Sequence, residues 1–362
     1  MLLKIQMHTL TDKETVMLIR LLQGKQTSSE LTGLTSTEKL IKAARKHRVS
    51  HFLFNALKKA EYLSSDLQFK ALETFCLRAA GRSLVQAHEL KKICLILNRE
   101  AIGFTVIKGT SLSAIIYGKD VFKTSTDLDI MLHKPSDFQH VHRILEGAEY
   151  FSEHMNKRPS LFKRNLFLLA KREAYYVNRR QKCLVDLHIR PGANTYLTRK
   201  YFREFFKDLR SYNFEGIELF IPSNEKYLVY LCYHGALHQF SKLVWLMDIR
   251  AFIRNIRLNT ENIKKEAQAI HAERSLVLAL YLMKQYFNDE IPEDLKLLVR
   301  PSWRIKMLAG ICTYQWDKTP EYPFSVHARC RKFIYIMLLI KGLAGRIDYI
   351  IGIFLRFIVK AS

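Results

Sequence analysis

The chain has 362 residues, 48% of them hydrophobic, with a mean hydropathy of −0.09. That length and balance exclude a disordered or low-complexity polypeptide and fit two or three packed units better than one core. Lys and Arg number 58 against 34 Asp and Glu, a formal charge of +24, so the surface attracts polyanions: nucleic acid, anionic lipid and nucleoside triphosphates alike.

The basic residues are spread along the chain, which weighs against a dedicated nucleic-acid arm. The start, Met1–His8, is too short and polar for a secretory signal, and no stretch approaches the roughly 20 apolar residues that span a bilayer. Cys76, Cys94, Cys183, Cys232, Cys312 and Cys330 lack C-x-x-C spacing. They read as reduced, buried thiols of a cytoplasmic protein, not as a disulfide framework or zinc site.

From about Leu10 to Asn98 the apolar residues recur at three- and four-residue intervals, as in Leu40-Ile41-x-Ala43-Ala44, and predict a helical N-terminal region (residues 1–99) ending in a long helix near Leu84–Arg99. The texture then changes. Gly103–Ile107 is short, apolar and β-branched, Lys108-Gly109 stops it, Ser111–Tyr117 has the length of a two-turn helix, and Asp127–Leu132 reads as a second strand. Phe138–Glu146 is helical in pattern, and Ala174–Val177 with Cys183–Ile189 predict an antiparallel pair around the basic turn Asn178–Lys182. After Pro222 helical periodicity returns, most clearly in Glu225–His238 and Lys242–Arg257. The organisation expected is a helical region 1–99, a core 100–220 and a helical region 221–362.

The chemistry concentrates in the middle. Positions i and i+2 of a strand share a face, so Asp127 and Asp129 present two carboxylates side by side. Such like charges repel unless a cation sits between them, and hard oxygen ligands suit Mg²⁺. Asp186, in the apolar run Cys183–His188, supplies a third carboxylate. The glycine turn at Lys108-Gly109 lets backbone amides approach a phosphate. Together these residues predict a two-metal phosphoryl or nucleotidyl transfer site. An isolated Asp-x-Asp is more often a pair of surface aspartates; the ordered company of Gly109 and Asp186 is what favours catalysis. His188, two residues after Asp186, falls on the same strand face, where it orients Asp186, touches nucleotide or is simply a half-buried histidine.

The run Ile107-Lys108-Gly109-Thr110-Ser111-Leu112, then Tyr117-Gly118, then Lys123-Thr124-Ser125-Thr126-Asp127-Leu128-Asp129-Ile130-Met131, resembles the bacterial uncharacterised nucleotidyltransferase family. Val185-Asp186-Leu187-His188 and a helix carrying His234, His238, Trp245-Leu246 and Asp248 extend the resemblance over roughly residues 30–260. It implies an α+β polymerase-β-like nucleotidyltransferase fold, a mixed sheet flanked by N-terminal and C-terminal helical regions. It also implies NTP as a ligand and Mg²⁺ as cofactor, two ions being expected and Mn²⁺ the alternative. Carried onto this chain, Asp127, Asp129 and Asp186 are the catalytic, metal-holding carboxylates. Lys108, Gly109, Thr110, Ser111 and Lys123 are the phosphate-binding residues, with Thr110 and Ser111 left as alternatives for the hydroxyl contact. His188, His234 and His238 stand behind them. Lys123 occupies the place of the family's Arg, which turns a bidentate fork into a point charge. The acceptor stays open: a sugar or envelope precursor, a small molecule, a protein or RNA.

His234 and His238 also have the i, i+4 spacing of a zinc pair, but Gly235 stands where a metalloprotease needs glutamate. Packing or nucleotide contacts fit them better, and Asp248 and Arg250 read as helix-packing residues. At the C-terminus, Leu343, Ile347, Ile350, Ile351, Phe354, Leu355 and Ile358 lie opposite an arc holding Lys341, Arg346, Arg356, Lys360 and three glycines. Either this helix docks on the core, or residues 329–362 make a peripheral contact with anionic membrane. Two other readings of the whole chain compete with catalysis: a non-catalytic nucleotide- or RNA-binding module, and a membrane-surface scaffold.

Overall fold

A computed structural model of the protein describes residues 12–24, 36–60, 67–118, 125, 127–152, 173–189, 204–288, 291–296, 301–317 and 326–361; Lys123 falls outside them. In chain order the elements are α1 (Lys13–Gln23), α2 (Thr37–Lys46), α3 (Ser50–Lys59), α4 (Leu67–Arg99), β1 (Phe104–Val106), α5 (Gly109–Tyr117), β2 (Leu128–Leu132), α6 (Phe138–Gly147), β3 (Glu173–Asn178), β4 (Cys183–His188), β5 (Arg210–Phe214), β6 (Ile217–Ile221), α7 (Asn224–Leu237), α8 (Leu243–Asn255), α9 (Thr260–Ala269), α10 (Glu273–Phe287), α11 (Trp303–Asp317), α12 (Val326–Leu339) and α13 (Leu343–Ala361). The chain forms two compact units, residues 1–78 with 228–341, and residues 79–227 with 342–362.

The first unit is helical. Asp12 caps α1, its Oδ2 accepting from the Thr15 amide at 2.9 Å, and Gly24 closes the helix in the left-handed region. Sequence-distant helices are tied by side chains that reach backbone carbonyls. Arg250 Nη1 donates to Leu22 O at 2.7 Å, and Trp316 Nε1 donates to Phe240 O at 2.7 Å. Arg250 therefore holds helices together, as its place in the pattern predicts.

The second unit is built on a four-stranded mixed sheet of order β1-β2-β4-β3. β2 pairs parallel with β4, while β1 and β3 flank them antiparallel. Alternation along the strands puts Leu128, Ile130, Val185 and Leu187 into a core with Leu90, Ile93 and Leu97 of α4 and Phe138, Val141 and Leu145 of α6. The opposite face of the two central strands is left for polar groups. The expected strands are all present within a residue or two, and the pair around Asn178–Lys182 is antiparallel.

Three expectations need correction. The long helix begins at Leu67, not near Leu84, because no proline interrupts the run and the one glycine, Gly81, weakens a helix without ending it. A hairpin, β5–β6, occupies residues 210–221, where the periodicity gave no strand. The thiols are not uniformly buried: Cys94, Cys183, Cys232 and Cys312 are, Cys76 is half-buried and Cys330 is exposed. All six are free. Among the described residues no helix is long and apolar enough to cross a membrane.

Candidate active site

The parallel pairing of β2 with β4 sets Asp129 directly opposite Asp186, and Met131 opposite His188. Since neighbouring strands lie about 4.8 Å apart, this register brings two carboxylates from distant sequence onto one face without help from any loop. His188 follows on that face two residues later. Its Nε2 lies 2.9 Å from Asp129 Oδ1 and 3.4 Å from Asp186 Oδ2. Lys108, at the end of β1, brings Nζ to 2.7 Å from the same Asp129 oxygen.

A fifth group was not anticipated from the sequence. Glu173 opens β3 opposite His188, its Oε2 stands 3.6 Å from His188 Nδ1, and its Oε1 accepts from the Tyr175 hydroxyl at 2.7 Å. Counting outward from the Asn178–Cys183 pair puts residue 173 beside residue 188.

The electrostatics divide the two aspartates. Burial alone would raise the Asp129 carboxyl, but the Lys108 ammonium and the His188 ring beside it hold it well below the usual carboxylate range. Asp186 is pushed the other way, up to about 7: burial dominates, and Glu173 and Asp129 add repulsion that His188 and Lys108 only partly offset. Asp186 Oδ1 is buried with no hydrogen-bond partner among the described residues. A buried carboxylate oxygen without a donor is what a cation would satisfy. Asp129, Asp186 and His188 each offer a ligand atom, all within 4.8 Å of one another. The two carboxylate oxygens suit a hard divalent ion such as Mg²⁺ or Mn²⁺, and the imidazole nitrogen is a donor that Mg²⁺ seldom takes and a transition-metal ion accepts.

Asp127 stands one residue before β2. Its carbonyl accepts from Ser125 Oγ at 2.8 Å, and its carboxylate is outside the trio just named. The turn upstream explains its glycine. Gly109 has φ +73°, and a Cβ there would come within 3.1 Å of Asp127 O and 3.3 Å of Ser125 Oγ, so only glycine lets α5 start against the entry to β2. The two hydroxyls that follow differ. Ser111 Oγ donates to Lys108 O at 3.0 Å, whereas Thr110 Oγ1 is buried with no partner among the described residues.

His234 and His238 belong to the other unit. Their rings lie 4.6 Å apart, and His238 packs on Trp245 at 5.2 Å. Between them Gly235 admits the Phe240 ring, since a Cβ there would sit 2.3 Å from a ring carbon. Packing thus accounts for this glycine.

A family model described as "Uncharacterised nucleotidyltransferase" matches residues 35–288. No curated protein and no solved structure matches the chain.

Proposed function

The chain belongs to the uncharacterised nucleotidyltransferase family, and from that premise we propose that it transfers NMP from an NTP to an acceptor hydroxyl or phosphate in a Mg²⁺-dependent reaction centred on Asp129, Asp186 and His188. The observation that carries this reading is the β2–β4 register, which gathers these three groups on one sheet face with Lys108 at hand.

Asp129 and Asp186, with Asp127 at the strand entry and His188 beside them, would hold the metal, two ions being expected and Mn²⁺ an alternative. Bound there, it would neutralise triphosphate oxygens and make the acceptor hydroxyl easier to deprotonate. The rest falls to the chain. The Lys108 ammonium sits where it can meet developing negative charge, and the Gly109 turn points backbone amides at the phosphates. Thr110 is the hydroxyl left to bond a phosphate oxygen, because Ser111 is spent on the Lys108 carbonyl. Lys123, outside the described residues, is assigned a phosphate contact by the family resemblance alone. In the reaction the acceptor oxygen bonds to the α-phosphorus while the bond to the pyrophosphate oxygen breaks and pyrophosphate departs. Asp186, holding the metal beside the acceptor, would help activate the acceptor hydroxyl, whose proton leaves to solvent.

Domain limits near residues 100 and 220 belong to this proposal, as do supporting roles for His234 and His238. A sugar or envelope precursor, a small molecule, a protein or an RNA end all fit as acceptor. The anionic-membrane contact of residues 329–362 has no part in the chemistry. Incubation of a cell extract with each nucleoside triphosphate labelled at the α-phosphorus, Mg²⁺ and the protein should label one acceptor. Asp129→Asn should abolish it; equal labelling by that variant would sink the reading.

A further inference from the structure

α13 carries an exposed apolar face. Leu343, Ile347, Ile350, Ile351, Ile353 and Phe354 are all exposed, from 39% for Ile353 to 72% for Leu343. Wound at 100° per residue they fall within one arc of about 160°. The opposite side of the same helix is covered: Gly345 and Gly352 are buried, and Tyr349 is 9% exposed. The helix therefore packs through small residues and Tyr349, and turns its bulky aliphatic side outward. This is the reverse of a terminal helix that docks by its greasy face. Isolated exposed aliphatics are ordinary, but six on one helix face are a patch that marks a binding surface.

The charge around the patch selects what covers it. α13 itself contains Arg346, Arg356 and Lys360 against one acidic residue, Asp348. A second copy of this chain would bring an equally basic segment against the first, so self-association through this face sets like charges together. An anionic lipid surface supplies both needed complements, acyl chains for the aliphatics and phosphates for the Lys and Arg side chains. The helix runs about 28 Å, yet charged residues recur along it from Arg346 to Lys360. It is suited to lie in the interface and is not among helices able to cross a membrane. It also lies beyond residue 288, where the family match ends, so nothing in the family description accounts for it.

We propose that α13 docks the protein on an anionic lipid bilayer, with Leu343, Ile347, Ile350 and Phe354 entering the acyl boundary and the surrounding Lys and Arg residues meeting lipid phosphates. The proposal stands apart from the nucleotidyl-transfer reading and does not depend on it.

The test uses the full chain in flotation with vesicles of phosphatidylcholine alone and of phosphatidylcholine mixed with phosphatidylglycerol. The wild type should float with the mixed vesicles only, less so as salt rises. The double variant Ile347→Ser/Phe354→Ser should lose at least about tenfold in vesicle affinity, since each side chain gives up burial worth roughly a tenfold factor. An unchanged thermal unfolding midpoint of that variant shows that its fold is intact. Wild-type protein that stays behind with the mixed vesicles would overturn the proposal, as would equal flotation on neutral ones. So would a stable dimer in solution that Ile347→Ser/Phe354→Ser takes apart, because the face would then be covered by a second copy.

Discussion

His188 sits between carboxylates on both sides of its ring, Asp129 and Asp186 at Nε2 and Glu173 at Nδ1. A carboxylate behind a ligating histidine fixes the ring's orientation and tautomer, and losing it costs about 10–100-fold in metal affinity. Glu173→Gln should therefore weaken Mn²⁺ binding, titrated by electron paramagnetic resonance, by about tenfold while thermal unfolding of the metal-free protein stays within a few degrees of wild type. Unaltered binding would leave Glu173 a strand-end acid and nothing more. The two aspartates predict opposite pH behaviour. Asp186, at about 7 in the folded chain against an ordinary 3.8, favours folding below 3.8, and that contribution is lost as pH rises through 7. Asp129, held below its ordinary value, contributes stability above 3.8 that is lost as pH falls further into the acid range. A cation needs Asp186 charged, so the rise in melting temperature on adding Mg²⁺ should be larger at about pH 8 than at about pH 6. An equal rise at both would mean that Asp186 is not a ligand.

The turn between β1 and α5 is the element on which the site hangs. Gly109 combines a left-handed φ with close approach to Asp127 O. Gly109→Ala should cost about 1–2 kcal/mol in unfolding free energy from backbone strain, read by urea denaturation. It should also lower NTP affinity more than that strain explains, because the entry to β2 must move. At this scale the strands were legible wherever apolar, β-branched runs ended in a breaker, as at Val106-Ile107 before Lys108-Gly109. The β5–β6 hairpin was not. Ile217–Ile221 alternates buried with exposed residues and Arg210–Phe214 half-buried with exposed ones up to the buried Phe214, and Glu215-Gly216 turns the chain with both residues at positive φ. Arg210 and Asn213 dilute the apolar signal, and Glu is an uncommon residue at a left-handed turn position. Glu173 was overlooked for a related reason: the hairpin was read as far as Ala174, and pairing one residue further is a property of register that no local pattern displays. The C-terminal helix was legible as amphipathic, but which side would pack was not. Periodicity separates two faces without saying which one the protein covers.

For the whole molecule, the charge of +24 admits every polyanion and selects none. Selection comes from local arrangement: a buried trio of ligating groups beside Lys108 in one unit, and a basic segment with an outward aliphatic face at the C-terminus. The ordered motifs carried family membership because they mark successive elements, from the β1–α5 turn through β2 and β4 to α7 and α8, and the family match over residues 35–288 spans all of them. The acceptor was never legible, since no residue among these motifs reads it. The central claim is that the bond broken lies between the α- and β-phosphates. Parallel incubations with NTP labelled at the α- or the γ-phosphorus test it most directly. The acceptor should gain α label alone, γ label should appear only in pyrophosphate, and Asp186→Asn should stop both. Transfer of γ label to the acceptor, or α-label transfer undiminished in Asp186→Asn, would contradict it.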